Sequence, residues 1–425
     1  MMRWLARRLF PLLATAGLIA VGMAATTWWG PRLAGQSDWA LPHDLWGTLV
    51  AARRLAHWDW AGLYTRPTSL VTLPGAAVIL VPVAAIIDAA GLSLQIPGPY
   101  YPHPAVWLAA GPYEIAISGV ALFAADAIAE HLGVTRPKRA LLAAVGAVAL
   151  WSVAVKWGHP EDAVAVGLLL FGMLALSRSR TGRAGWLIGV AVAVQPLVLL
   201  ALPFAVVVTE PRRLPGFLTR AAAPGTLLLG AAAAANWHAT FRAVTSQPNS
   251  PAVNHPTVWT SLAPHLDNGA VAAGPARVVA IGVACGCALI AGRRWRAALA
   301  AGGWSPQILQ ELVWWAAVAL ALRCLLEPVM VAYYLWPALA AALIAASPGW
   351  SRLIATSVTA VALTFASQLW WGAPWAWWAP MVAGLALTLF FARVPPRARA
   401  PQAVLPAGGG LEGTVTARPQ ATDPT

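Results

Sequence analysis

Seven consecutive residues, Lys156-Trp157-Gly158-His159-Pro160-Glu161-Asp162, gather a lysine, a histidine and two carboxylates in a chain that is 59% apolar and 10% charged. Such groups can move a proton or hold an anion, and ionisable side chains at the rim of a bilayer are costly enough to mark a site. Similar groups stand in other segments between apolar runs: Asp38 and Asp44, Asn254-His255, and Arg323 with Glu327. Acids and bases drawn from distant loops onto one side of a membrane are what an outward-facing active site needs.

The elements that must position these groups are apolar helices. Apolar runs of about 20 residues recur along all 425 residues, the length that crosses a hydrocarbon core. They fall near 9–29, 70–90, 106–126, 139–155, 161–177, 184–208, 220–236, 275–292, 309–325, 329–347, 352–370 and 377–392. The expected fold is therefore all-α, a polytopic integral membrane protein with about 10–12 transmembrane helices. The first run follows a basic stretch and resembles a signal peptide, but its length suits a retained helix with a cytoplasmic N-terminus.

The net charge of +13 does not point to nucleic acid, because no single basic face is present. All but two of the 28 basic residues are arginine, and most lie in short clusters between apolar runs, such as Arg136/Lys138/Arg139, Arg178/Arg180/Arg183, Arg212/Arg213/Arg220 and Arg293/Arg294/Arg296. By the positive-inside rule these mark cytoplasmic loops. The 24 tryptophans gather at run ends, as interface belts do. Cys285, Cys287 and Cys324 lie within apolar runs, and His43, His57 and His103 lack zinc spacing, so neither a disulfide nor a metal nor a cofactor is expected.

Residues 1–392 are then one membrane-embedded domain, with external loops at 30–69 and 237–274, and a Pro-, Ala-, Gly- and Thr-rich tail, 393–425, that reads as disordered in the cytoplasm. The middle of the first loop reads as an amphipathic helix on the outer surface, with Leu45, Trp46, Leu49, Ala52 and Ala56 on one face. Two places resist simple alternation. Run 184–208 has basic clusters at both ends and Gln195-Pro196 inside, which fits either a hairpin with Gln195 at its external tip or one kinked span. Upstream, one element between 70 and 126 must dip without crossing if Arg136, Lys138 and Arg139 are to be cytoplasmic. Of the 15 acids, Asp88, Asp126 and Glu311 are expected near the cytoplasmic side. Asp38, Asp44, Asp59, Glu161, Asp162, Asp267 and Glu327 are expected outside, and Glu114 within an apolar run.

Five stretches stand in order along the chain: Asp44-Leu45-Trp46 through Asp59-Trp60-Ala61-Gly62-Leu63-Tyr64, the loop KWGHPED, Gly185 to Gln195-Pro196, Arg323 to Pro328, and Tyr333-Tyr334-Leu335-Trp336-Pro337. This ordered pattern resembles the C-superfamily of membrane glycosyltransferases, in particular the polyprenyl-phosphate-dependent mannosyltransferases of actinobacteria. Gln195 stands where many relatives carry lysine. The resemblance implies inverting transfer of a sugar, mannose or another pentose or hexose, from a polyprenyl-phosphate donor to a cell-envelope glycan or glycolipid at the external face of the plasma membrane. It implies a catalytic base in the first external loop, Asp44 or else Asp38. It also implies a donor site drawn from Lys156, His159, Glu161, Asp162, Gln195, His255, Arg323, Tyr333 and Tyr334.

Structural roles compete for the same residues. Asp44 could cap a helix, Pro160 with Glu161 and Asp162 could simply start one, and Arg323 and Glu327, four apart, could pair with each other. His255 could be a loop hydrogen-bonder and Glu114 a buried carboxyl. A transporter or lipid flippase is the competing class, and a non-catalytic scaffold a third. Ionisable groups at helix ends and the absence of an internal repeat weigh against transport.

Overall fold

The computed structural model describes residues 7–29, 39–65, 70, 72–94, 101–266, 269–369 and 375–395. Asp38, Asp267 and nearly all of the expected disordered tail lie outside them.

Helices dominate the described residues, and strands are limited to two-residue pairs. Among the described residues, seven helices are long and apolar enough to cross a membrane: Leu9–Trp28, Pro104–His131, Arg136–Trp157, Pro160–Ser177, Pro211–Ala235, Gly274–Gly302 and Pro306–Leu326. In hydrocarbon every backbone polar group needs an internal partner, which helices supply. Local chemistry sets their ends. Proline opens Pro104–Ser118, Pro160–Ser177 and Pro306–Leu326, the last also capped by the Ser305 hydroxyl, which accepts from the Ile308 N–H. Gly303, at φ 70° and ψ −161°, a conformation open to glycine, closes Gly274–Gly302.

Contacts at chain turns define two ends of the bundle. At one end Arg8 and Arg139 clasp Asp126, Arg8 also pairs with Glu130, Lys138 donates to the Pro348 carbonyl and Arg352 to that of Arg393. At the other end Trp157 donates to Gln368, and Trp378 to the Cys324 carbonyl. The long 237–274 segment also folds over this second end. Pro248–Asn249 pairs with Val271–Ala272, and His255–Pro256 pairs antiparallel with Val329–Met330.

Both awkward segments resolve. Thr181–Val194 rises to Gln195, and the chain returns through Pro196–Leu200 and Leu202–Val208, so that Arg213 donates to the Ser179 carbonyl. This is the hairpin, not a kinked span. Its rising arm packs on Leu214–Ala235 through Gly185 and Gly189, where a Cβ would lie 2.9 and 2.6 Å from the Phe217 and Arg220 carbonyl oxygens, the close approach small residues permit. Upstream, the element that dips is 75–89. The Leu94 carbonyl accepts from Trp46, and Asp88 pairs with Arg53 and His57, all at the second end. The nine-residue helix Val81–Ala89 rises only about 14 Å, half of a ~30 Å hydrocarbon core. Asp88 thus sits at the end opposite the one expected for it.

The first loop also differs from expectation. In His43–Ala56 the apolar face of Leu45, Leu49 and Ala52 is buried against Leu80, Val83, Ala84 and Ile87. That face is covered by protein, because the dipping segment lies directly against it.

Candidate functional site

The loop 156–162 is shaped around one glycine. Ser152–Trp157 winds as a π-helical turn and ends at Gly158, φ 64°. A Cβ on Gly158 would lie 2.7 Å from that of Leu45 and 2.9 Å from that of Pro42, so only glycine permits both the left-handed turn and the approach of the helix bearing Asp44. Across this contact His159 Nε2 lies 2.8 Å from Asp44 Oδ2, and His159 Nδ1 lies 2.6 Å from Glu161 Oε1. Both ring nitrogens face carboxylate oxygens, the arrangement an imidazolium satisfies with two donated hydrogen bonds. Burial disfavours charge on His159, but the Glu161 and Asp44 carboxylates outweigh it and hold its pKa well above the ordinary histidine range.

Asp44 does not cap its helix. Pro42 holds the cap position, Asp44 is in the first turn, and its side chain, 41% exposed, turns to His159. Pro160 does open the next helix, as expected of a residue at that position, but Glu161 and Asp162 do more than start it. They are buried at 3% and 0% exposure, and Glu161 Oε2 and Asp162 Oδ2 have no hydrogen-bond partner among the described residues. Glu114, fully buried with neither oxygen partnered among those residues, lies within electrostatic reach of Glu161 and His159. Unpartnered buried carboxylate oxygens are costly and therefore informative.

The hairpin tip supplies the next link. Gln195 Nε2 donates to Asp162 Oδ1 at 2.6 Å, and its Oε1 accepts from Thr72 at 3.1 Å. Gly75 allows this, since a Cβ there would sit 2.2 Å from the Ala193 carbonyl oxygen.

Arg323 and Glu327 do pair, at 3.0 Å, but they are joined by a third residue. Arg277 Nε donates to the same Glu327 Oε1 at 2.8 Å. Burial raises the pKa of Glu327, yet the Arg277 and Arg323 guanidiniums overcome it and hold the carboxyl below its usual value. The Arg323 guanidinium lies 3.4 Å from the centre of the Tyr334 ring, and its buried Nη1 has no partner among the described residues. Tyr334 meets Tyr333 edge-on at 4.9 Å, and Tyr333 stacks on His159 at 4.0 Å. These three short contacts hold the imidazole and guanidinium closer together than half the ~30 Å hydrocarbon thickness.

Beside Arg323 opens a cavity of about 470 Å³, with Gln195, Arg277, Arg323 and Glu327 at its polar part and Leu197, Leu200, Val278 and Ile281 along its apolar wall. Of the sequence-derived donor residues only Gln195 and Arg323 line it. Tyr333 and Tyr334, expected in the donor site, are buried behind His159 and Arg323. Lys156 sits half-buried in the π-helical turn. His255 is not part of the cavity wall: it stacks flat on Trp377 at 3.6 Å, and burial pushes its pKa down to about 4, leaving it uncharged at neutral pH. Its ring packs on Trp377 beside the 255–256 strand pair.

Arg277 was missed by sequence reasoning because it stands alone, outside the arginine clusters. A signal was present: a cation in the first turn of a helix opposes the macrodipole and needs a carboxylate nearby. Among the described residues no group of three or more His, Cys, Asp or Glu is placed to hold a metal ion. Neither the models of protein families nor the curated proteins include a match to this chain.

Proposed function

We propose that the chain is a membrane-embedded inverting glycosyltransferase that takes a sugar from a polyprenyl phosphate and passes it to a hydroxyl of a cell-envelope glycan or glycolipid. The observation that carries the reading is the meeting of Asp44 with His159, a short run of contacts from an arginine pair at the mouth of a half-apolar cavity.

In this reading the acceptor oxygen attacks the anomeric carbon from the face opposite the phosphate, and the carbon–oxygen bond to phosphate breaks. The hydroxyl proton passes to Asp44, whose carboxylate is held by His159. The departing phosphate carries its charge to Arg323 and Arg277, of which Arg323 offers a buried unpartnered N–H. The apolar wall beside them suits the first isoprene units of the donor. The same reading assigns a multi-pass protein of the plasma membrane with 10 crossings, the hairpin at 181–208 and the dip at 75–89, which together account for the apolar runs in the sequence. The arginine-rich end and N-terminus are cytoplasmic, and the Asp44 end is external.

The test is transfer by the purified chain from a synthetic polyprenyl-phosphate sugar. Asp44→Asn should lower turnover by about 10²–10⁴-fold, the usual worth of a general base, with donor binding kept. Full transfer by Asp44→Asn would remove the proposed base. Movement of the lipid-linked sugar across proteoliposomes without covalent product would replace the reading with transport.

A further inference from the structure

At the end of the bundle opposite Asp44, the two feet of the hairpin enclose a hollow of about 390 Å³ lined by Arg180, Arg183, Arg212, Arg213 and Arg220. Arg220 lies across the first turn of Thr181–Val194, since a Cβ on Gly182 would come within 3.6 Å of its guanidinium carbon. Arg213 is engaged by Glu210 at 3.0 Å and by the Ser179 carbonyl, and Arg220 by the Gly216 carbonyl. Glu210 is the one acid lining this hollow or its neighbour among the described residues. Like charges gathered around one hollow repel one another, and an anion seated among them relieves that repulsion.

A second hollow of about 440 Å³ shares Ser179, Thr181 and Arg213 with the first and runs on along Leu176, Val207, Val208, Leu299 and Trp304. The arginines alone would suit any small anion. An apolar wall continuous with them suits an amphiphile, with an anionic head among guanidiniums and a hydrocarbon chain beside it.

We propose that this double hollow is a binding site for an anionic phospholipid of the arginine-side leaflet. The phosphodiester sits among Arg180, Arg183 and Arg212, where guanidinium forks and the helix N-terminal amides converge. One acyl chain lies along Leu176, Val208 and Leu299. The proposal needs only that the chain spans a bilayer and is independent of any transfer chemistry.

The test is binding of a fluorescent short-chain phosphatidylglycerol to the full chain in neutral detergent, with phosphatidylcholine of the same chain length for comparison. Phosphatidylglycerol should bind at least ~10-fold more tightly. Arg180→Gln/Arg183→Gln/Arg212→Gln should weaken it on the order of a hundredfold, from roughly fivefold per basic residue. Arg293→Gln/Arg294→Gln, which removes two exposed charges from the same end, should leave it unchanged. Equal binding by the triple variant, or equal loss in the Arg293/Arg294 control, would overturn the site. So would displacement by glycerol phosphate at the concentration of the lipid, which would make the ligand a free phosphate.

Discussion

The imidazole of His159 is the residue on which pH acts most directly. Its pKa is raised in the folded chain by Glu161 and Asp44 against the opposing effect of burial, so its contribution to stability is complete below the unfolded value of about 6.5. That contribution is lost as pH rises through the folded value. Thermal unfolding in detergent should therefore show a gap between wild type and His159→Gln that is widest near pH 6 and narrows steadily on the alkaline side. A gap that widened with pH would mean a neutral imidazole. At this scale the sequence was partly legible. An acid-rich, histidine-bearing loop in so apolar a chain singled out groups that the fold brings into contact, His159 with Glu161 and Asp44, since desolvation makes such groups rare. The partnership of Asp44 with a loop 115 residues away was not legible, because capping and ion pairing place the same residue types in the same local pattern.

Among elements, the turn at Gly158 governs how two loops meet. Gly158→Ala forces a non-glycine residue into the left-handed region and a methyl against Leu45 and Pro42. It should cost about 1–3 kcal/mol of stability, read as a fall in melting temperature. Under the proposed function it should also lower turnover further than donor binding, because it separates Asp44 from His159. A variant with unchanged melting temperature would show that the turn is not strained. The hairpin at 181–208 could be anticipated because its arginine clusters flank a Gln-Pro break, and basic residues at both ends oppose a crossing. The dip at 75–89 was visible only as a conflict in the count. Its run is as hydrophobic as a spanning one, and what holds its far end beside the first loop is tertiary: Arg53 and His57 on Asp88, and Trp46 on the Leu94 carbonyl.

For the whole molecule, the two-ended arrangement makes a topological prediction. In a chain with its native cysteines replaced, Ser93→Cys and Val253→Cys should be labelled by an impermeant maleimide from one side of intact vesicles, and Ser179→Cys from the other. Labelling of Ser93→Cys and Ser179→Cys from the same side would restore a full crossing at 75–89 and undo the assignment of ends. That the chain is built of long apolar helices was legible because apolar length reports bilayer thickness directly. The cavity walls were not, since they come from facing helices far apart in sequence.

The clasp of Arg8 on Asp126 and Glu130 bears on how the chain is made. Those partners follow Arg8 by 118 and 122 residues, so at about 5–20 residues per second the ribosome needs roughly 6–24 s to supply them. Throughout that interval the guanidinium must remain at the aqueous interface, and the first helix waits in the membrane without its electrostatic anchor. Completion of the second long helix, Pro104–His131, is therefore the earliest point in synthesis at which Arg8 can be clasped.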